Sequence, residues 1–231
     1  MTLLKLFHTI ASVATCASIL PVVVGLIEFK RRPAAFRVLW GWLAFGLMIN
    51  LSMAALVWQH IKTVMLVQLT LPFFAAFGLY AIGRLSASAS IRRWCTVASV
   101  GYVIFWGVRF LLDEASKDFS PFTGPVLWMI LTIASAALIR VRLSESPPDL
   151  LRDPVLTTAF AILVCYAPAA ALEHASLALY RTHPDLILIL WCVRSVLLVA
   201  GYFLFTMVFS WMLPPRSLPG LSSSVVSRPA H

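Results

Sequence analysis

Apolar residues run with little interruption through seven stretches of the chain, set apart by short breaks that carry Lys, Arg, His, Pro and Ser. The stretches are Leu6 to Glu28, Ala35 to Trp58, Lys62 to Gly83, Arg92 to Asp113, Phe122 to Val141, Pro154 to Ala178 and Asp185 to Leu213. A bilayer core about 30 Å thick demands about 20 such residues per helix, because hydrocarbon offers backbone N–H and C=O groups no partner. Each stretch meets that length. The pattern predicts an all-α membrane protein, a seven-transmembrane-helix up-and-down bundle over residues 1–213, followed by a disordered cytoplasmic tail of Pro, Ser and Arg over residues 214–231.

Composition narrows the function classes. Of 231 residues 61% are hydrophobic and 12% charged, where a soluble domain has roughly 45–50% and about 25%. A water-soluble enzyme is excluded, because its outer surface needs far more charge. The net charge of +9 is no nucleic-acid footprint, since the basic residues cluster between apolar runs instead of lining one polar face. It sets orientation. Most of the 18 Lys and Arg residues fall on one side, at Lys30, Arg31, Arg32 and Arg37, at Arg84, Arg92 and Arg93, at Arg140, Arg142 and Arg152, and in the tail at Arg216 and Arg228. The positive-inside rule makes that side cytoplasmic, with the N-terminus outside and the C-terminus inside. The other side holds Lys5, Lys62, Lys117 and Arg181.

The first stretch is too long for a cleavable leader and is expected to remain as a helix. Turns as short as Trp58-Gln59-His60-Ile61 make successive helices antiparallel neighbours. Pro21, Pro72 and Pro168 lie inside the first, third and sixth stretches and predict kinks, each leaving a carbonyl without its usual donor. Cys16, Cys95, Cys165 and Cys192 have no C-x-x-C spacing and read as buried free thiols.

Ionisable groups at membrane depth are costly, so they are expected to face the bundle interior and to have partners. Arg194 is the clearest case, nine residues into the seventh stretch, or about 14 Å deep at about 1.5 Å per residue. Glu173 lies near the outer end of the sixth stretch, and a Glu173 to Arg194 pair, direct or through water, is the expected arrangement. Arg109 and Asp113 share a helix face at i,i+4. Asn50, Gln59, Gln68 and Glu114 map to the same outer half, whereas the inner half holds few polar groups beyond Ser and Thr. The candidate ligand-binding residues are therefore Arg194, Glu173, His174, Arg109, Asn50, Gln68 and Trp191.

His8, His60, His174 and His183 also map outside, yet none stands three or four residues from another, so no metal or haem site is expected. Trp40, Trp42, Trp58 and Tyr180 near the segment ends read as an interfacial belt, with Trp106 and Trp191 deeper. No G-x-S-x-G, H-E-x-x-H or Walker loop is present. Glu173 and His174 are adjacent, which points their side chains about 100° apart on a helix and disfavours an acid–base pair.

Seven helices with an outside N-terminus invite comparison with microbial rhodopsins. The seventh stretch has no Lys to form a Schiff base, so retinal is not expected. The plan resembles the seven-helix input modules of bacterial membranes, some fused to histidine kinases and some standing alone. That resemblance rests on the outside N-terminus, the tight loops, and the basic segment Arg140 to Asp153 followed by Pro154 and an apolar stretch containing Tyr166. It implies a receptor-like or sensory protein, with a separate membrane or cytoplasmic protein to carry any signal; the outward-facing polar pocket for a small anionic or amphipathic ligand is expected from Arg194 and Glu173 themselves. The alternative is a non-catalytic subunit that anchors a larger membrane complex; a small transporter or channel ranks third.

Overall fold

The computed structural model describes residues 3–59, 61, 63–112, 122–145, 149–179 and 183–213. Among them there is no strand, and eight α-helices build seven spans long and apolar enough to cross a membrane. The helices are α1 (Leu3–Ala17), α2 (Ile19–Leu26), α3 (Ala34–Trp58), α4 (Val64–Leu85), α5 (Ala89–Leu112), α6 (Thr123–Ser144), α7 (Pro154–Leu179) and α8 (Pro184–Trp211). Their ends lie within a few residues of the apolar stretches. The proposed tail over residues 214–231, together with His60, Lys62, Asp113, Glu114, Lys117, Tyr180 and Arg181, lies outside the described residues.

The three prolines act differently. Pro21 lacks an N–H and crowds the carbonyl of residue 17, and the first span divides there into α1 and α2 at Ser18. Pro72 and Pro168 lie within α4 and α7, which stay helical through them. These two spans are also the most enclosed. They form the centre of the bundle, while α5 lies at its edge with Ile91, Cys95 and Tyr102 as its buried residues.

Consecutive spans pack on one another, α4 also packs on α6, and the first span closes the ring against both α3 and α8. Leu39, Leu79, Ile82, Leu127, Leu131, Leu138, Ile162, Phe205 and Phe209 are fully buried between them. Helix approach is closest where a glycine faces bulk. A Cβ on Gly201 of α8 would collide with the Cys165 sulfur of α7, and one on Gly78 of α4 would come within 2.9 Å of the Trp42 ring. That ring is fully buried, so Trp42 belongs to the core and not to an interfacial belt. It sits near the end of an apolar run, but its helix face turns inward.

One end of the bundle gathers the basic loops, and there the charges have structural work. Arg32 is buried and donates to the carbonyls of Val24 at 3.0 Å, Ile27 at 3.1 Å and Phe209 at 2.9 Å. These carbonyls lie at the C-terminal ends of α2 and α8, where four acceptors per helix lack intrahelical donors and the macrodipole is negative. Burial pulls the Arg32 pKa down from its ordinary value, against an opposing pull from Glu28. On the same end Arg142 of α6 grips Asp153 through Nε at 2.9 Å and Nη2 at 2.7 Å. Asp153 in turn caps α7 by accepting the Leu156 N–H at 2.7 Å. Burial alone pushes the Asp153 pKa up, but the Arg142 and backbone hydrogen bonds outweigh it and hold the carboxyl below its usual value.

Candidate functional site

At the end away from Arg32 and Arg142, the helices separate around a cavity of about 450 Å³. Its walls come from the middle and later part of α3, the first halves of α4 and α6, the later part of α7 and the first two thirds of α8. It runs from Thr63 and Val64, where α4 begins, inward to Trp42, Tyr166 and Tyr202. Past that floor the chain is closed by the packed core, with Leu39, Ile82, Leu138, Ile162 and Phe205 all fully buried.

Helix α8 presents one face to this space. Trp191, Arg194, Leu198 and Tyr202 are spaced three or four apart and all line it. The Arg194 guanidinium lies over the Trp191 ring, 4.7 Å from its centroid, a cation–π contact one turn apart. Its Nε is buried without a partner, and no hydrogen bond or ion pair among the described residues reaches the group. The charge lies within electrostatic reach of Tyr166 and Tyr202.

Glu173 faces the same cavity but does not bond Arg194, so the expected direct pair is not formed. Its Oε1 accepts the Trp128 indole N–H at 2.8 Å, and its Oε2 sits beside Gly124, where a Cβ would lie 2.7 Å away. Gly124 is in the first turn of α6, whose positive dipole end favours a carboxylate. These two neighbours stabilise the acid from the α6 side and leave the guanidinium free of it.

The deep wall is aromatic. Trp128 and Tyr166 stack with centroids 5.1 Å apart and planes 10° off parallel. Trp42 and Phe74 close on them, at 5.1 Å from one another and 5.7 and 6.0 Å from Tyr166. Asn50 of α3 and Tyr202 of α8 bring polar groups to the same cavity. Gln68 is buried in the α4 wall, and its backbone carbonyl accepts the Trp106 indole N–H at 2.9 Å.

Of the residues singled out in the sequence, the structure brings Arg194, Glu173, Asn50, Gln68 and Trp191 to one cavity. Arg109 does not join them. It stands near the end of α5 with its guanidinium 4.3 Å from the centroid of the Phe122 ring, and the proposed Asp113 partner lies outside the described residues. His174 lies on α7, and its side chain is outside the description. Sequence reading missed Phe74, Trp128 and Tyr202 as wall residues. Tyr202 carries a signal, since it falls two turns beyond Arg194 on the same face; Phe74 and Trp128 meet only through the packing of separate helices. Among the described residues, no three His, Cys, Asp or Glu side chains converge as a metal site would require.

The arrangement suits binding more than reaction. A cation at the side of a largely apolar and aromatic chamber attracts a negative group and gives its remainder a shaped wall. No family model, no curated protein and no solved structure matches the chain.

Proposed function

We propose that this seven-span membrane protein is a receptor-like binding protein whose cavity holds a small anionic or amphipathic ligand against Arg194. The observation that carries this reading is the Arg194 guanidinium, set in the cavity wall with no carboxylate among the described residues bonded to it. An arginine at membrane depth costs a few kcal/mol to insert, about 2.5–3.5 at a helix centre. A structural role would normally offset that cost with a partner. A ligand anion does so here, and the cavity volume falls in the range of ordinary small-molecule sites.

By the positive-inside rule the Arg32 and Arg142 end faces the cytoplasm, so the cavity opens toward the outside of a bacterial inner membrane. Signalling then requires the ligand to favour one helix arrangement over another, read by a separate protein at the basic loops. The packed core beyond Tyr166 and Tyr202 weighs against a channel. An anchoring subunit is the second reading, resting on α5, whose surface the rest of the chain leaves mostly uncovered.

The test is purification in mild detergent followed by mass spectrometry of bound molecules. An anion released by denaturing the native protein and missing from Arg194→Gln supports the reading. Equal recovery from both proteins overturns it.

A further inference from the structure

The break at Ser18 has an effect on the cavity wall. Below it, α2 packs against both α3 and α8; above it, α1 lies along α8 and meets α3 only slightly. No residue of α1 or α2 lines the cavity, and α3 and α8, which both do, have almost no backbone contact with each other. Beside the cavity, α3 therefore stands apart from the α1 and α8 pair, which leaves a seam between them. The side chains along it, Ile49, Asn50 and Met53 on α3 and Arg194 and Leu198 on α8, are half-exposed while also lining the cavity.

The chemistry of the seam is graded. Arg194 supplies a cation at depth, and Ile49, Met53 and Leu198 supply apolar walls that continue into hydrocarbon. An aqueous solute needs the first and not the second. A molecule with a charged head and a single long tail uses both, because its tail can stay in the seam while its head reaches the guanidinium.

Resting on the anion-binding reading above, we infer that the occupant is a long-chain carboxylate drawn from the bilayer, entering sideways between α3 and α8 with its head on Arg194. Depth selects the head. A carboxylic acid crosses hydrocarbon in its neutral form and ionises beside the guanidinium, its proton leaving to water at the Thr63 end of the cavity. A phosphate or sulfonate keeps its charge throughout and is excluded from that route by desolvation.

The experiment uses the full chain in phosphatidylcholine nanodiscs and dodecanoate brominated on its chain, a quencher of tryptophan fluorescence. Trp42, Trp128 and Trp191 line the cavity and report its arrival. Saturable quenching is expected in the native protein and loss of that component in Arg194→Gln. Bulk placed in the seam by Ile49→Phe slows the approach, by about tenfold on the scale over which association rates vary within one interface, and Ile49→Ala quickens it. Thermal unfolding of each variant verifies that it is folded. If quenching needs Arg194 but both Ile49 variants keep the native rate, sideways entry is overturned while the anion site stands. Quenching in the native protein no greater than in Arg194→Gln overturns both.

Discussion

The carbonyl of Gln68, stripped of its usual donor by Pro72 four residues later, accepts the indole N–H of Trp106 at 2.9 Å. A proline in a membrane helix leaves one acceptor that hydrocarbon cannot satisfy. Here α5 satisfies it from the side. The bond ties α4 to α5 at Gln68, which together with Leu71 lines the cavity.

Trp106→Phe keeps most of the ring and removes only the donor. It should cost about 1–3 kcal/mol, the penalty of an unsatisfied buried acceptor. In a Pro72→Ala background the restored helix N–H takes over the carbonyl, so the same change should cost much less. Thermal unfolding of the four proteins in a double-mutant cycle measures the difference; equal costs in both backgrounds would show that the bond does not serve the proline.

Arg194→Met should separate binding from stability. The variant loses anion binding and gains about 1–3 kcal/mol against unfolding, because an uncompensated cation no longer has to leave water. Ligand binding and chemical denaturation on the same preparation give both numbers.

Gly124 leaves room for the Glu173 carboxylate. In Gly124→Ala the new methyl displaces Oε2, and the acid swings into the cavity toward Arg194. Anion affinity should fall, while the unfolding midpoint changes little because a flexible side chain absorbs the clash. Titration with dodecanoate tests this, and the fluorescence of Trp128, which loses its acceptor, gives a second readout.

Asp153 makes stability depend on pH at the basic end. Its folded pKa is held below the ordinary value by Arg142 and the α7 backbone. A depressed carboxyl pKa contributes stability that is complete above its unfolded value, about 3.9, and is lost as pH falls through the folded pKa. Unfolding temperature should therefore be steady from neutral pH down to about pH 4 and fall below it. Asp153→Asn should be weaker at neutral pH by about 1–2 kcal/mol, the cost of a lost cap and a partly exposed ion pair. Its acid profile should be flatter.

Arg32→Lys should not substitute for the native residue. One ammonium cannot span carbonyls on α2 and α8 as the planar guanidinium does, and about 2–4 kcal/mol should be lost. Unfolding midpoints of the native protein, Arg32→Lys and Arg32→Met test this; a Lys variant equal to the native protein would show that charge alone suffices.

The spans were legible because seven runs of apolar residues leave few alternatives, and Arg194 was legible because a charge inside such a run is conspicuous. What a helix touches was harder to read. Trp42 and Trp40 stand two residues apart near one end of α3, but the first is fully enclosed and the second donates to the Val22 carbonyl at 2.8 Å. Only helix rotation separates them, and rotation is set by distant partners. For the same reason a sequence does not show that Glu173 has Trp128 and Gly124 of α6 as close neighbours. The prolines foretold disturbance, yet whether a helix breaks, as near Pro21, or is repaired from outside, as at Pro72, depends on the adjoining span.

The Arg32 clamp also bears on the order of assembly. Its acceptor on Phe209 lies 177 residues further along the chain, so during synthesis the guanidinium enters the membrane surface long before that carbonyl exists. Until the last helix arrives, the first can hold only its own α2 carbonyls. The contact between Arg32 and Phe209 thus cannot form before the last helix has been made.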